Sequence, residues 1–278
     1  MLTLDVCVEP LFTKESTEER IARIGACGYK SVELWLHDAT FDGSDFDFGA
    51  PRDAKAIRQA CEAAGMTLNN LVVNPPDDGT IGGAPVMAAT RAKYLERVEA
   101  TIAFAKAAGC SKAITCAGDE QPGMSRPAMR AAVEEALGAA AEIAARNDFT
   151  LLLEPLNTRV DHIGYSLNSS EEAAYIVRSV GSPNLRLLYD VYHMQVMEGD
   201  VVAHLGAARD VIGHYHSAGV PGRAEHVNCE LNYPFILKAV AETGYAGSFG
   251  LEYFPADKDH AASLKAVRDY LMQSGVCE

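Results

Sequence analysis

Four side chains with metal-ligand chemistry recur at equivalent places in a repeated pattern. The apolar runs Thr-Leu-Leu-Leu-Glu, Leu-Arg-Leu-Leu-Tyr-Asp, Val-Ile-Gly-His-Tyr-His and Phe-Gly-Leu-Glu end at Glu154, Asp190, His216 and Glu252. Short apolar runs of this kind read as buried strands. In a parallel barrel the last inward position of each strand lies on one rim, where catalytic groups sit. Three carboxylates in an apolar-walled mouth repel one another, and a divalent cation relieves that repulsion. Three oxygen ligands and an imidazole, with no thiolate, suit Mn²⁺, Mg²⁺ or Co²⁺, and Zn²⁺ accepts the same set. Any one of these acids alone would read as a solvated loop residue. Four in register at strand ends read as one metal site.

Other residues near these strand ends could contact a substrate. His193 follows Asp190 by three positions and can hydrogen-bond at the rim. Arg223, in Val-Pro-Gly-Arg, lies on the long loop 219–233 and suits an anionic substrate group as a bidentate fork. Arg159 is a second candidate for that task, and Trp35 can wall the pocket. His214 shares parity with His216 one layer deeper and reads as a packed core histidine. Cys7 and Cys116 lack an evident base and read as packing residues. No G-x-S-x-G elbow and no P-loop is present. A two-carboxylate glycosidase would leave Asp190 and His216 unexplained.

The elements that must position these residues are legible as an alternation. Apolar runs at 3–8, 31–36, 67–73, 112–117, 150–153, 185–189, 211–215 and 248–253 read as strands. Helical stretches fall near 17–27, 51–64, 86–108, 127–147, 169–180, 200–209, 233–243 and 258–273. Ser16 with Glu19, and Asn168 with Glu171, read as capping boxes. Gly28, Gly65, Gly109, Gly181 and Gly244 read as helix stops. Strict alternation calls for a parallel sheet, and eight repeats in this length call for closure. The expected fold is therefore α/β, a single (β/α)8 TIM barrel over residues 1–278. An open doubly wound sheet is disfavoured because no G-x-G-x-x-G follows the first strand. In the second strand, Val32, Leu34 and Leu36 should face helices, so Glu33, Trp35 and His37 point inward. In the eighth, Ser248, Gly250 and Glu252 point inward.

Composition bounds the partners. The 278 residues carry a formal charge of −14, which disfavours nucleic acid and anionic membrane surfaces. No apolar run reaches the ~20 residues of a membrane span, and the opening MLTLDVCVEP lacks a basic leader region. Seven scattered cysteines without a C-x-x-C pair fit a reduced, cytoplasmic setting. The stretch 75–83 and the C-terminal helix are candidates for homo-oligomer contacts.

Taken together, these strings resemble the xylose isomerase-like TIM barrels, and within them the hydroxypyruvate isomerases. The resemblance is carried by Glu154-Pro155-Leu156-Asn157-Thr158-Arg159, by Asp190-Val191-Tyr192-His193-Met194-Gln195 and by Met197-Glu198-Gly199-Asp200. It continues in Val220-Pro221-Gly222-Arg223 and Glu230-Leu231-Asn232-Tyr233-Pro234. It implies one divalent metal held by Glu154, Asp190, His216 and Glu252, with Glu154 and Glu252 as an acid–base pair. It also implies substrate contacts from His193 and Arg223. The substrate class implied is a short α-hydroxy carbonyl, converted through an enediolate, as hydroxypyruvate is to tartronate semialdehyde. Hydroxypyruvate isomerases look to carry Gln where this chain has His216, and ketose 3-epimerases look to carry His. That departure keeps the metal set and leaves isomerisation and 3-epimerisation both open. An abasic-site endonuclease on the same fold and a non-catalytic sugar-binding module are the other readings.

Overall fold

The computed structural model describes residues 1–278. The eight apolar runs become β1 (Thr3–Cys7), β2 (Ser31–Leu36), β5 (Thr67–Val72), β6 (Lys112–Cys116), β7 (Thr150–Glu154), β8 (Leu185–Asp190), β9 (Ile212–His216) and β10 (Ser248–Leu251). Between β2 and β5 a small antiparallel hairpin is added, β3 (Thr40–Phe41) with β4 (Phe46–Asp47). The strand order β1-β10-β9-β8-β7-β6-β5-β2 closes into a barrel. The helices are α1 (Thr17–Ala26), α2 (Ala54–Ala64), α3 (Arg91–Ala108), α4 (Arg126–Arg146), α5 (Ser170–Val180), α6 (Val191–Met197), α7 (Val201–Ala208), α8 (Tyr233–Glu242) and α9 (His260–Met272). None of them is long and apolar enough to cross a membrane.

The chain divides into two compact units. One comprises residues 1–70, 107–110 and 215–278, and the other residues 71–106 and 111–214. In the first, β1 is the hub. It pairs in parallel with β10 through Val6↔Leu251 and with β2 through Cys7↔Glu33. Val32, Leu34 and Leu36 are buried, as expected for a strand covered by helices. Ser16 and Glu19 form the anticipated capping box at the start of α1. Beyond β2 a buried Arg52–Glu9 ion pair at 2.6 Å ties the chain down. Arg52 also donates to the Leu36 and Ala39 carbonyls and to Thr17 Oγ1, so both charges are embedded in hydrogen bonds. Removing one partner of such a pair costs about 3–5 kcal/mol, because the other charge stays buried.

In the second unit, β6, β7 and β8 run in parallel with Ile114↔Leu152 and Leu153↔Leu187 in register. Ile114, Leu152 and Leu188, with Val72 beside them, form an apolar layer two residues before the ends of β6, β7 and β8. The cap of α5 is Ser169, whose side chain accepts from the Glu172 N–H. This corrects the expected Asn168–Glu171 box by one residue: Asn168 uses its amide on Thr158 Oγ1 instead. Gly65 and Gly181 end α2 and α5 in the left-handed region, as anticipated. All seven cysteines carry free thiols.

The loop between β9 and α8 is anchored by His226. Its ring is fully buried and lies edge-on to Tyr233 at 4.5 Å and Tyr253 at 5.5 Å. Ser217 Oγ donates to the Gly250 carbonyl, so His226 Nε2 is the donor to Ser217 Oγ at 2.8 Å. Burial pushes the His226 pKa down from 6.5 to about 3. The unfolded chain takes up this proton near 6.5, whereas the folded chain waits until about 3. Stability should therefore fall as pH drops below the upper value, by up to about 1.4 kcal/mol per pH unit from this group. Urea titrations between about pH 7 and about pH 4 test this, and His226→Gln should flatten the slope by up to one proton. An equal slope in the variant would remove His226 as its source.

Candidate active site

In the first unit, Glu33 on β2, His216 at the end of β9 and Glu252 just after β10 are all buried. His216 Nε2 lies 2.7 Å from Glu33 Oε2, which also accepts from Asn70 Nδ2 at 2.7 Å. His216 Nδ1 lies 3.6 Å from Glu252 Oε2. The imidazole is thus strung between two carboxylates. Burial lowers its pKa, but Glu33 and then Glu252 outweigh that effect and hold it well above the usual value. The inward parity expected for β10 is visible at Gly250. A Cβ there would sit 2.5 Å from Glu33 Oε1 and 2.6 Å from His216 Cδ2. Only a residue without a side chain lets these two groups meet.

Glu252 is clamped from both sides. Trp35 Nε1 donates to Oε1 at 2.7 Å, and Arg223 Nη2 donates to Oε2. Burial raises the Glu252 carboxyl, but Arg223, followed by His216 and Trp35, holds it well below the ordinary carboxylate range. Arg223, expected to face a substrate anion, has Glu252 as its partner here. The backbone explains why. The Phe254 N–H donates to the Arg223 carbonyl at 2.8 Å, so the loop is stitched to the segment that carries Glu252. The guanidinium also lies 5.8 Å above the Phe254 ring. Trp35 packs against Phe41 and Phe46 of the β3–β4 hairpin, with ring centroids 5.1 and 5.8 Å away.

In the second unit, Glu154 and Asp190 are the last residues of β7 and β8, and both are buried. Tyr165 Oη donates to the Glu154 carbonyl at 2.9 Å and fixes that strand end. Asp190 caps α6: its Oδ1 accepts from the N–H groups of Tyr192 at 2.7 Å and His193 at 3.2 Å. Its Oδ2 lies 3.6 Å from His193 Nε2. His193 therefore sits in the first turn of a helix and not on an irregular loop. The helix has only seven residues, too short for a periodic signal. Arg159 is exposed and donates to the Val196 carbonyl at 3.0 Å, bracing the loop after β7 to α6.

The buried groups able to hold a metal ion are Glu33, His216 and Glu252 in the first unit and Glu154, Asp190 and His214 in the second. Glu33 had no assigned role in the sequence; its inward parity was the only signal. His214 is fully buried, as anticipated.

Trp35 is the single tryptophan, so its emission reports on its indole environment alone. Glu252→Ala removes the indole partner and should shift that emission, whereas Glu62→Ala, at an exposed position of α2, should not. An unchanged spectrum in Glu252→Ala would contradict the Trp35–Glu252 hydrogen bond.

Comparison with known proteins places this geometry in a family. The xylose isomerase-like TIM barrel family matches residues 21–270. The 2-oxo-tetronate isomerase of Cupriavidus necator is 32% identical, over 94% of this chain and 95% of its own. The hydroxypyruvate isomerase of Escherichia coli is 29% identical, over 92% of this chain and 94% of its own. A solved structure described as an AP endonuclease, family 2, from Brucella melitensis superposes with a TM-score of 0.85. It is 26% identical and covers 97% of this chain and 99% of that one. With residues 21–270 matched and relatives aligned almost end to end, the chain belongs to the xylose isomerase-like TIM barrel family.

Proposed function

We propose that this isomerase acts on a short α-hydroxy carbonyl compound, of the hydroxypyruvate to tartronate semialdehyde type, by proton transfer through an enediolate. Glu154, Asp190, His216 and Glu252 hold one divalent cation, Mn²⁺ or Mg²⁺. The observation that carries this reading is the recurrence of a metal-type ligand at the end of each of the consecutive strands β7, β8 and β9 and directly after β10. The chemistry of the donor set agrees. Three carboxylates and an imidazole form a hard oxygen–nitrogen set. Glu33, bonded at Nε2, leaves Nδ1 of His216 directed toward Glu252. Metal-binding histidines are held in this way, by a carboxylate on the ring nitrogen that does not coordinate.

A cation at this position supplies Lewis acidity, which polarises a substrate carbonyl and acidifies the neighbouring C–H. The chain's own residues do the rest. Glu154 and Glu252 serve as the acid–base pair, one removing a proton and the other returning one. Glu252, kept ionised by Arg223, is suited to accept. A substrate carboxylate competes for the same guanidinium, so binding it draws Arg223 away from Glu252 and raises the basicity of Glu252. Trp35 and the β3–β4 aromatics shield the Glu252 side from water.

Return of the proton to the former carbonyl carbon gives isomerisation; return to the other face of the same carbon gives epimerisation. His216, where the hydroxypyruvate isomerases look to carry Gln, favours the 3-epimerase reading as the second choice. The charge of −14 argues against the endonuclease reading.

Incubation in deuterium oxide with hydroxypyruvate and a panel of small ketoses should wash deuterium into the reactive carbon. Failure of exchange with every compound would leave a binding module. Glu154→Gln and Glu252→Gln should each lower turnover by about 10²–10⁴-fold. Near wild-type turnover in either variant would refute the two-glutamate scheme. Exhaustive chelation should abolish activity and Mn²⁺ or Mg²⁺ should restore it; full activity in chelator would reject the metal. Glu33→Gln should weaken Mn²⁺ binding about 10–100-fold in equilibrium dialysis, and unchanged affinity would remove Glu33 from the site.

A further inference from the structure

We infer that Asn157 and its neighbours lock His193 into a single neutral tautomer, with the proton on Nε2, so that the ring is a permanent hydrogen-bond donor and never a base. Two donors converge on His193 Nδ1. The backbone N–H of Asn157 lies 3.3 Å away and its side-chain Nδ2 lies 2.7 Å away. The side-chain amide has no freedom to present its oxygen instead. Asn157 Oδ1 accepts from the N–H groups of Val160 and Asp161, each at 3.0 Å, which turns Nδ2 toward the ring. Nδ2 also donates to Asp161 Oδ2, and Tyr192 Oη donates to that same carboxylate oxygen at 2.8 Å. A nitrogen faced by two N–H donors must be the lone-pair nitrogen of the imidazole. The proton therefore resides on Nε2, on the side of Asp190 Oδ2, 3.6 Å away.

The plane of the ring is fixed as well. Tyr192 and His162 pack at 5.2 and 5.4 Å between centroids, and the ring is fully buried. Asn157 is itself fully buried. Tautomer, plane and depth are thus set by residues that lie on the loop after β7 and on α6. Asn157 is a positioning residue: it acts on the substrate through His193.

The consequence for the substrate rests on the proposed isomerase reading, but the tautomer does not. A neutral N–H donor on the Asp190 side can serve an acceptor oxygen: a carbonyl or carboxylate in the ground state, or the enediolate oxygen that gains charge during proton transfer. A neutral imidazole can stabilise such an oxygen without competing as a base. Proton movement is then left to the two glutamates.

The test begins with the wild-type protein. Long-range proton–nitrogen correlation spectra of nitrogen-labelled protein at neutral pH distinguish the two tautomers and the imidazolium. The His193 signals among the eight histidines are assigned by their loss in His193→Gln. The expected pattern is a protonated Nε2 and an unprotonated Nδ1. Protonation at Nδ1, alone or with Nε2, would overturn the inference. Asn157→Asp places a carboxylate against Nδ1 and should move the proton there; an unchanged pattern would equally overturn it. In steady-state kinetics the same variant should lose about 10²-fold in kcat, the size expected for one lost donor to a developing oxyanion. An unchanged kcat with the tautomer confirmed would overturn the assignment of His193 as that donor. Absence of isomerase activity in wild type would sink the functional reading and leave the tautomer measurement intact.

Discussion

Buried negative charge is the constraint on which the rest of this molecule depends. Glu33, Glu154, Asp190 and Glu252 are all withdrawn from water. Each ionised carboxylate in such a place costs several kcal/mol unless its oxygens are satisfied. The chain meets that demand with local devices. Asp190 accepts two backbone N–H groups at the start of α6, Glu252 is gripped by Trp35 and Arg223, and Glu33 by Asn70 and His216. Even so, His216 is drawn toward the protonated state by its two carboxylate neighbours. That appetite for positive charge comes from Glu33 and Glu252 together, and it outweighs the cost of burying the ring.

Two histidines beside these acids are handled oppositely. His216 has a carboxylate at Nε2 and turns Nδ1 toward Glu252, whereas His193 has two N–H donors at Nδ1 and turns Nε2 toward Asp190. A carboxylate behind the ring makes it a better electron donor. An amide behind the ring leaves it neutral and donating. The same side chain thus serves two chemistries, and the choice is made by Glu33 in one case and Asn157 in the other.

Much of this was legible before any coordinates. The eight strands, their parallel alternation with helices and the strand-end placement of Glu154, Asp190 and Glu252 follow from apolar run length and period-two parity. What parity could not reveal is who faces whom. Glu33 was placed inward without a role, because its partner His216 lies on another strand far along the chain. Arg223 was assigned to a substrate anion, yet its bond to Glu252 depends on a backbone link to Phe254 that no local pattern announces. The β3–β4 hairpin has strands of two residues and α6 has seven, both below the length at which periodicity carries information. The Asn168–Glu171 box failed by one position because Ser169 competes for the same cap.

Gly250 has a further bearing on how this protein could be reshaped. A single methyl group at that position would collide with both Glu33 and His216. The interior at that level is consequently filled to the last ångström by the supports of the imidazole, and leaves no room for redesign from beneath. Altering which molecules are admitted has to proceed through Phe41 and Phe46, whose rings pack on Trp35 at tilted angles, while Trp35 itself stays as the donor to Glu252.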